Sequence, residues 1–188
     1  LVPSFIYTQE DEYVEQLKKE YETCKELNIP CEYYDKIKGI PLETKGALCF
    51  RNQGQFNPKK YVDALAKINI DMGVEIYENT PVVEVGKECK VKCANGSIIT
   101  TKNLILASCN AWYDGLMLYF SKEEASRSYL LCSKLNEDIL DGNYINVEQP
   151  VRTFRTCYDD NGEKYIIAGG QDHKTGKCNN EMENYKII

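Results

Sequence analysis

Hydrophobic and polar positions along this chain switch between a two-residue and a 3.6-residue period, and the switch points mark its elements. Val2 to Tyr7 reads as a strand. A helix follows, with a capping-box-like start at Thr8 and Asp11 and with Glu10, Asp11 and Glu12 placed to suit the helix dipole. Tyr13, Leu17, Tyr21 and Cys24 make one apolar stripe that ends near Leu27, and Pro30 stops it. Cys31 to Tyr34 and Gly46 to Phe50 read as short strands. Asn57 and Pro58 then open a helix over Pro58 to Met72, with Tyr61, Leu65, Ile68 and Met72 on one face and Gly73 as its stop.

Strands are predicted next at Val74 to Tyr77, Val82 to Val85, Lys90 to Cys93 and Ser97 to Thr101, the last two joined by an Asn95-Gly96 hairpin turn. Asn103 to Ala107 reads as a further strand, running into the small-residue turn Ser108-Cys109-Asn110-Ala111. A short helix is expected over Trp112 to Tyr119. Strands at Ser126 to Ser133, Arg152 to Cys157 and Tyr165 to Ala168 follow, separated by polar turns, which suggests an antiparallel sheet. The polar tail after Gly176 reads as poorly ordered. Together these elements predict an α+β fold.

Composition narrows the function. In 188 residues, 29 acids against 23 bases leave a formal charge of -6, which gives no electrostatic footprint for nucleic acid or an anionic membrane surface. No apolar run is long enough to span a membrane. Nine cysteines, odd in number and without a Cys-x-x-Cys pair, read as thiols of a reducing cytoplasm. One histidine, His173, rules out sites that need two. The strand-like residues at Leu1 suggest a piece of a longer protein.

Three stretches could carry chemistry. Gly46 to Pro58 delivers a polar turn to a helix N-terminus, where backbone N–H groups can meet a ligand. Thr80 to Val85, the hairpin and Ile105 to Trp112 form a β-meander that ends in a small-residue turn. Tyr165 to Gly176 reads Tyr-Ile-Ile-Ala-Gly-Gly-Gln-Asp-His-Lys-Thr-Gly, in which Gly169 and Gly170 permit close backbone approach. By their motifs alone, the three are a strand–helix connection, a structural meander and a hairpin loop with a surface histidine.

The second and third stretches resemble the D-amino-acid-oxidase superfamily of FAD-dependent oxidoreductases. The meander resembles the strand beside the adenine and the later turn near the cofactor, with Ala107-Ser108 and Cys109-Asn110-Ala111 where many members have an Ala-Thr-Gly-like turn. The third resembles the Gly-Gly-Glu-Asp-His-Lys-Thr-Gly loop of one subgroup, with Gln171 in place of Glu. The resemblance implies Val82, Val83, Ala107, Ser108, Gly169 and Gly170 as cofactor-binding positions. It implies His173 as a catalytic group over the flavin, and Arg152, Arg155 and Tyr129 on the substrate side. A substrate carboxylate would want an arginine fork.

The implied organisation is a substrate-binding domain with an antiparallel sheet from 1–50 and 120–176, part of an FAD-binding domain over 51–119, and a tail over 177–188. The implied reaction oxidises a C–N bond of an amine or amino acid to an imine, with FAD as the cofactor of the full-length protein. No Gly-x-Gly-x-x-Gly turn occurs in the sequence, so FAD is not expected on this stretch alone, which should then be inactive and leave His173 exposed. Strand edges left bare suggest a homo-oligomer. A second reading, a non-catalytic ligand-binding or interaction module with the same substrate-domain fold, fits the same residues, and so does an unrelated α+β domain.

Overall fold

The computed structural model describes residues 1–113, 118–178 and 180–188. Its strands are β1 (Val2–Thr8), β2 (Glu32–Tyr34), β3 (Gly46–Gln53), β4 (Val82–Val85), β5 (Lys90–Cys93), β6 (Ile98–Thr100), β7 (Ser126–Lys134), β8 (Asn143–Asn146), β9 (Arg152–Tyr158) and β10 (Lys164–Lys174). The helices are α1 (Val14–Glu26), α2 (Pro58–Asp71) and α3 (Glu181–Ile187). The chain divides into two compact units, Leu1–Gln55 with Ala125–Ile188, and Phe56–Glu124. The fold is α+β.

The first unit is a seven-stranded sheet in the order β2-β3-β1-β8-β9-β10-β7. Its neighbours run antiparallel except β1 and β8, which are parallel with Phe5 opposite Tyr144. The expectation of an antiparallel sheet is corrected at that pair. A parallel pair needs a long crossover, and the stretch between β1 and β8, which includes the whole second unit, supplies one. Strand alternation gives the sheet two faces. One carries the core of Phe5, Tyr7, Ala47, Cys49, Tyr144 and Phe154, with Ile37, Ile40 and Leu42 of the β2–β3 connection packed on it. On the other face, α1 lays the fully buried Leu17 over β3, where a Cβ on Gly46 would stand 3.6 Å from its Cδ1.

Several local expectations change. The Thr8 hydroxyl does not cap Asp11; it accepts from the Glu10 N–H at 3.1 Å and donates to the Glu148 carboxylate at 2.7 Å. A distant acid thus outcompetes the local cap. The tail after Gly176 forms α3, with the Asn180 side chain accepting from the Met182 N–H and with Glu181 paired to Arg127 at 2.8 Å. All nine cysteines are free thiols.

On the β2 edge, Glu32 is held by the Arg51 guanidinium and the Tyr34 hydroxyl, which bring its carboxyl down to about 2. A depressed carboxyl contributes stability that is complete above its ordinary value of 4.5 and is lost as pH falls toward 2. Arg51→Ala should therefore return the Glu32 carboxyl carbon resonance to an ordinary midpoint in an NMR pH titration. An unmoved midpoint would show that the pair is not formed.

In the second unit β4, β5 and β6 make a three-stranded antiparallel sheet, and Gly96, at φ +86°, turns the β5–β6 hairpin. The Asn57 side chain caps α2 by accepting from the Lys60 N–H at 3.2 Å. Val74 to Tyr77 and Asn103 to Ala107 are not strands; among the described residues neither has a ladder partner to fix it. The short helix expected over Trp112 to Tyr119 falls largely on 114–117, outside the described residues, and a 3-10 turn occupies Tyr119–Lys122. The apolar face of α2 is open: Tyr61, Leu65, Ile68 and Met72 are 56%, 41%, 53% and 77% exposed. Such a face favours association. Sedimentation of this chain should show dimers or larger species as concentration rises, and Ile68→Glu should reduce them; a monomer at all concentrations would refute this.

Candidate functional site

Arg152 and Arg155 lie three apart on β9, an odd separation on a strand, so they leave it on opposite faces. The register agrees. Arg152 stands opposite Gly170 on β10, on the core face, whereas Arg155 stands opposite Ile167 and Asn143. The two guanidiniums do not form one fork. Arg155 lines a groove on the α1 side with Asn143, Ile145 and Ile167. Arg152 lines a cleft of about 260 Å³ on the core face, walled by Tyr7, Leu42, Phe154, Ile166, Ala168 and Ile188. Its Nη1 donates to the Val151 carbonyl at 3.2 Å, and among the described residues it has no carboxylate partner.

Tyr129 and His173 come together on that same core face. Tyr129 stands opposite Gly170 across the β7–β10 ladder, and Arg152 opposite Gly170 on the other side. Two strand spacings put their backbones about 10 Å apart. The Tyr129 ring is buried, stacked on His173 at 5.5 Å and met edge-on by Tyr185 of α3 at 4.8 Å. His173 is thus a strand residue, half-buried, rather than an exposed loop residue, because β10 continues past a bulge between Gly170 and His173. Its Nδ1 faces the Gln171 carbonyl at 3.4 Å.

Gly169 and Gly170 have packing reasons to be glycine. A Cβ on Gly169 would come within 2.7 Å of the Leu130 side chain, and one on Gly170 within 2.9 Å of the Arg152 side chain, which lies across it. In the second unit Val82 and Val83 are 38% and 53% exposed on the edge strand β4. Ala107 and Ser108 are exposed, with the Ser108 Oγ donating to the Asn110 carbonyl at 2.6 Å beside a cleft of about 360 Å³. These exposed β-branched side chains and the open turn leave room for a flat aromatic ring. Among the described residues no cluster of His, Cys, Asp or Glu could hold a metal, and no helix is long and apolar enough to cross a membrane.

Sequence reasoning missed Glu148. It is 6% exposed, in the β8–β9 turn, and its Oε1 accepts from the Thr8 hydroxyl at 2.7 Å and from the Gln9 N–H. Its Oε2 is buried without a hydrogen-bond partner among the described residues. Burial, with this carboxylate adding to it, pushes the Tyr7 phenol up to about 12. Nothing local in Val147-Glu148-Gln149-Pro150 distinguishes Glu148 from a surface acid.

The Bacillus subtilis (strain 168) protein named "Putative Rieske 2Fe-2S iron-sulfur protein YhfW" is 30% identical to this chain over 187 residues, 98% of the chain and 36% of that protein. The Haemophilus influenzae protein named "Probable oxidoreductase OrdL" is 38% identical over 74 residues, 38% of the chain and 17% of that protein. The chain therefore spans about a third of the length of the first relative and less of the second. No solved structure matches it significantly. The FAD dependent oxidoreductase family, DAO, matches over residues 2–184, and the chain belongs to that family.

Proposed function

We propose that this chain is the substrate-side portion of an enzyme that oxidises a C–N bond of an amine or amino acid to an imine. The reading rests on one observation above all: on the core face of the sheet, an Arg152 without a carboxylate partner among the described residues and the Tyr129–His173 stack lie about two strands apart. When bound, FAD supplies a two-electron acceptor for the hydride that leaves the substrate carbon. Arg152 holds the substrate carboxylate by charge-assisted hydrogen bonds. With Nδ1 directed at the Gln171 carbonyl, His173 has Nε2 free to take the proton from the substrate nitrogen. Tyr129 holds the imidazole ring flat against its own. Val82, Val83, Ala107 and Ser108 would hold the adenosine end of the cofactor.

The first unit is then the substrate-binding domain and the second a part of the FAD-binding domain. Nine free thiols support a reducing compartment such as the cytoplasm. On this reading the 2Fe-2S cluster named for the Bacillus subtilis relative is a candidate electron acceptor. Hydrogen peroxide formed in proportion to substrate oxidised would rule it out.

The test is made on a longer protein that includes this chain. It should carry yellow, FAD-type absorbance that bleaches with an amino-acid or amine substrate. His173→Ala should lower turnover about a hundredfold, with flavin content unchanged. Wild-type turnover across the pH range would make His173 a packing residue. A flavin-free longer protein would favour the binding-module reading.

A further inference from the structure

The last turn of α1 and the approach to β2 bring two thiols together. α1 stops on a left-handed Asn28, at φ +55°, and the N–H groups of Asn28 and Ile29 return to the carbonyls of Lys25 and Cys24 at 3.1 and 2.8 Å. The chain therefore doubles back over Cys24 before it enters β2. There Tyr33 stands opposite Leu48 of β3, and its ring meets Tyr21 of α1 at 6.0 Å. Cys24 lies three positions after Tyr21, on the same helix face. Cys31 lies two positions before Tyr33, on the same side of the extended chain. The aromatic contact and the thiol contact are successive rungs of one helix–strand junction. In it the Cys24 and Cys31 thiols share a hydrogen bond.

Other thiols are placed differently. Cys132 and Cys157 lie on β7 and β9, on either side of β10, with backbones about 10 Å apart, whereas a disulfide needs Cα atoms within about 7 Å. Cys24 is 7% exposed and Cys31 partly exposed, so a reagent reaches Cys31 first. We propose that Cys24 and Cys31 are a redox-active dithiol, a modification site that a low-molecular-weight disulfide such as glutathione disulfide converts reversibly to a disulfide fastening α1 to β2. The Cys31 thiolate attacks one glutathione sulfur; the S–S bond of the reagent breaks, and one glutathione leaves with the proton that Cys31 gave up. The Cys24 thiolate then attacks the Cys31 sulfur of the mixed disulfide, and the second glutathione leaves with the Cys24 proton. Two protein thiols are oxidised by two electrons, and one glutathione disulfide is reduced to two thiols. Burial, and then the hydrogen bond with Cys24, hold the Cys31 thiol above its ordinary range, so the exchange is slow at neutral pH and the pair is marked out by its equilibrium. A resolving thiol held in place acts at an effective concentration of ~10 mM or more, which a lone thiol lacks.

The experiment equilibrates this chain with millimolar reduced glutathione and rising glutathione disulfide, quenches with acid, alkylates the remaining thiols and digests with trypsin. Cleavage after Lys25 separates Cys24 from Cys31, so the peptides 20–25 and 26–36 stay joined only through the disulfide. The joined peptides should reach half their maximum at about a tenth or less of the glutathione disulfide that half-modifies the exposed Cys109. Dithiothreitol should return both thiols, and circular dichroism should stay constant throughout. Cys24→Ala should stop the sequence at one glutathione on Cys31, and Cys31→Ala should leave Cys24 unmodified at the same ratio. The proposal is overturned if the peptides never join, if they need more than that tenth, or if Cys24 is found joined to a different cysteine. It is also overturned if Cys24→Ala leaves Cys31 without glutathione, or if the joined peptides arise only as the circular dichroism is lost, since the unfolded chain would then be the species that reacts.

Discussion

Phe154→Ala should lower the unfolding free energy of the first unit by about 3–5 kcal/mol, read from urea midpoints at constant slope. Phe154 is 8% exposed, stacked on Tyr144 at 4.2 Å and 7°, and edge-on to Tyr7 at 6.2 Å. Its removal takes away both the buried area and the aromatic pairing, worth about 1 kcal/mol of the total. It also leaves a void in the core that Phe154 shares with Tyr144, Tyr7 and Leu42. Phe154→Leu keeps most of the volume and should cost less than about 1.5 kcal/mol. Equal costs for the two variants would mean that the site collapses freely and that the stack is not a rigid floor for the cleft.

Glu148→Ala should be the costliest change outside the aromatic core, about 2–4 kcal/mol. The variant removes the acceptor shared by the Thr8 hydroxyl and the Gln9 N–H, and leaves the buried hydroxyl only the Glu10 carbonyl at 3.1 Å. Hydrogen bonds to a charged group contribute about 1.5–3 kcal/mol each, offset by the desolvation of an acid whose Oε2 has no partner among the described residues. Glu148→Gln keeps an acceptor at the Oε1 position and should cost about half as much. A neutral or stabilising Glu148→Ala would show that desolvation cancels both bonds. The same substitution should loosen the turn that carries Arg152, whose own N–H donates to the Asn146 side chain at 2.6 Å.

Punctuation residues made the local structure legible. Asn57 and Pro58 set the start of α2, and Asn95-Gly96 set the hairpin. Extended runs without partners were misread. Val74 to Tyr77 and Asn103 to Ala107 have strand-like composition, but a strand exists only where another backbone completes its ladder, and that information is not local. β8 was hidden for the converse reason. Asn143-Tyr144-Ile145-Asn146 has only two apolar residues, yet it is paired on both edges, by β1 and by β9. The opposite facing of Arg152 and Arg155 was available from their odd spacing, once both were placed on one strand. The Tyr129–His173 stack was not, because it depends on β10 running on past Gly170. Neither was Glu148, whose partners lie 139 and 140 positions away.

The parallel pairing of β1 with β8 has a consequence for synthesis. β1, β3 and α1 can assemble as soon as they leave the ribosome, but the free edge of β1 then waits for β8. About 90 residues separate Gln53 from Asn143, so at 5–20 residues per second the wait is ~5–20 s. During it Phe5 and Tyr7 have neither Tyr144 nor Phe154 to cover them, on a strand whose N–H and C=O row is unpaired. The nascent half-sheet is therefore a natural client for a chaperone that holds extended apolar segments. Slowing translation within the second unit should raise the aggregated fraction of this protein more than slowing it after Tyr158, where the β8–β9 hairpin has already closed that edge.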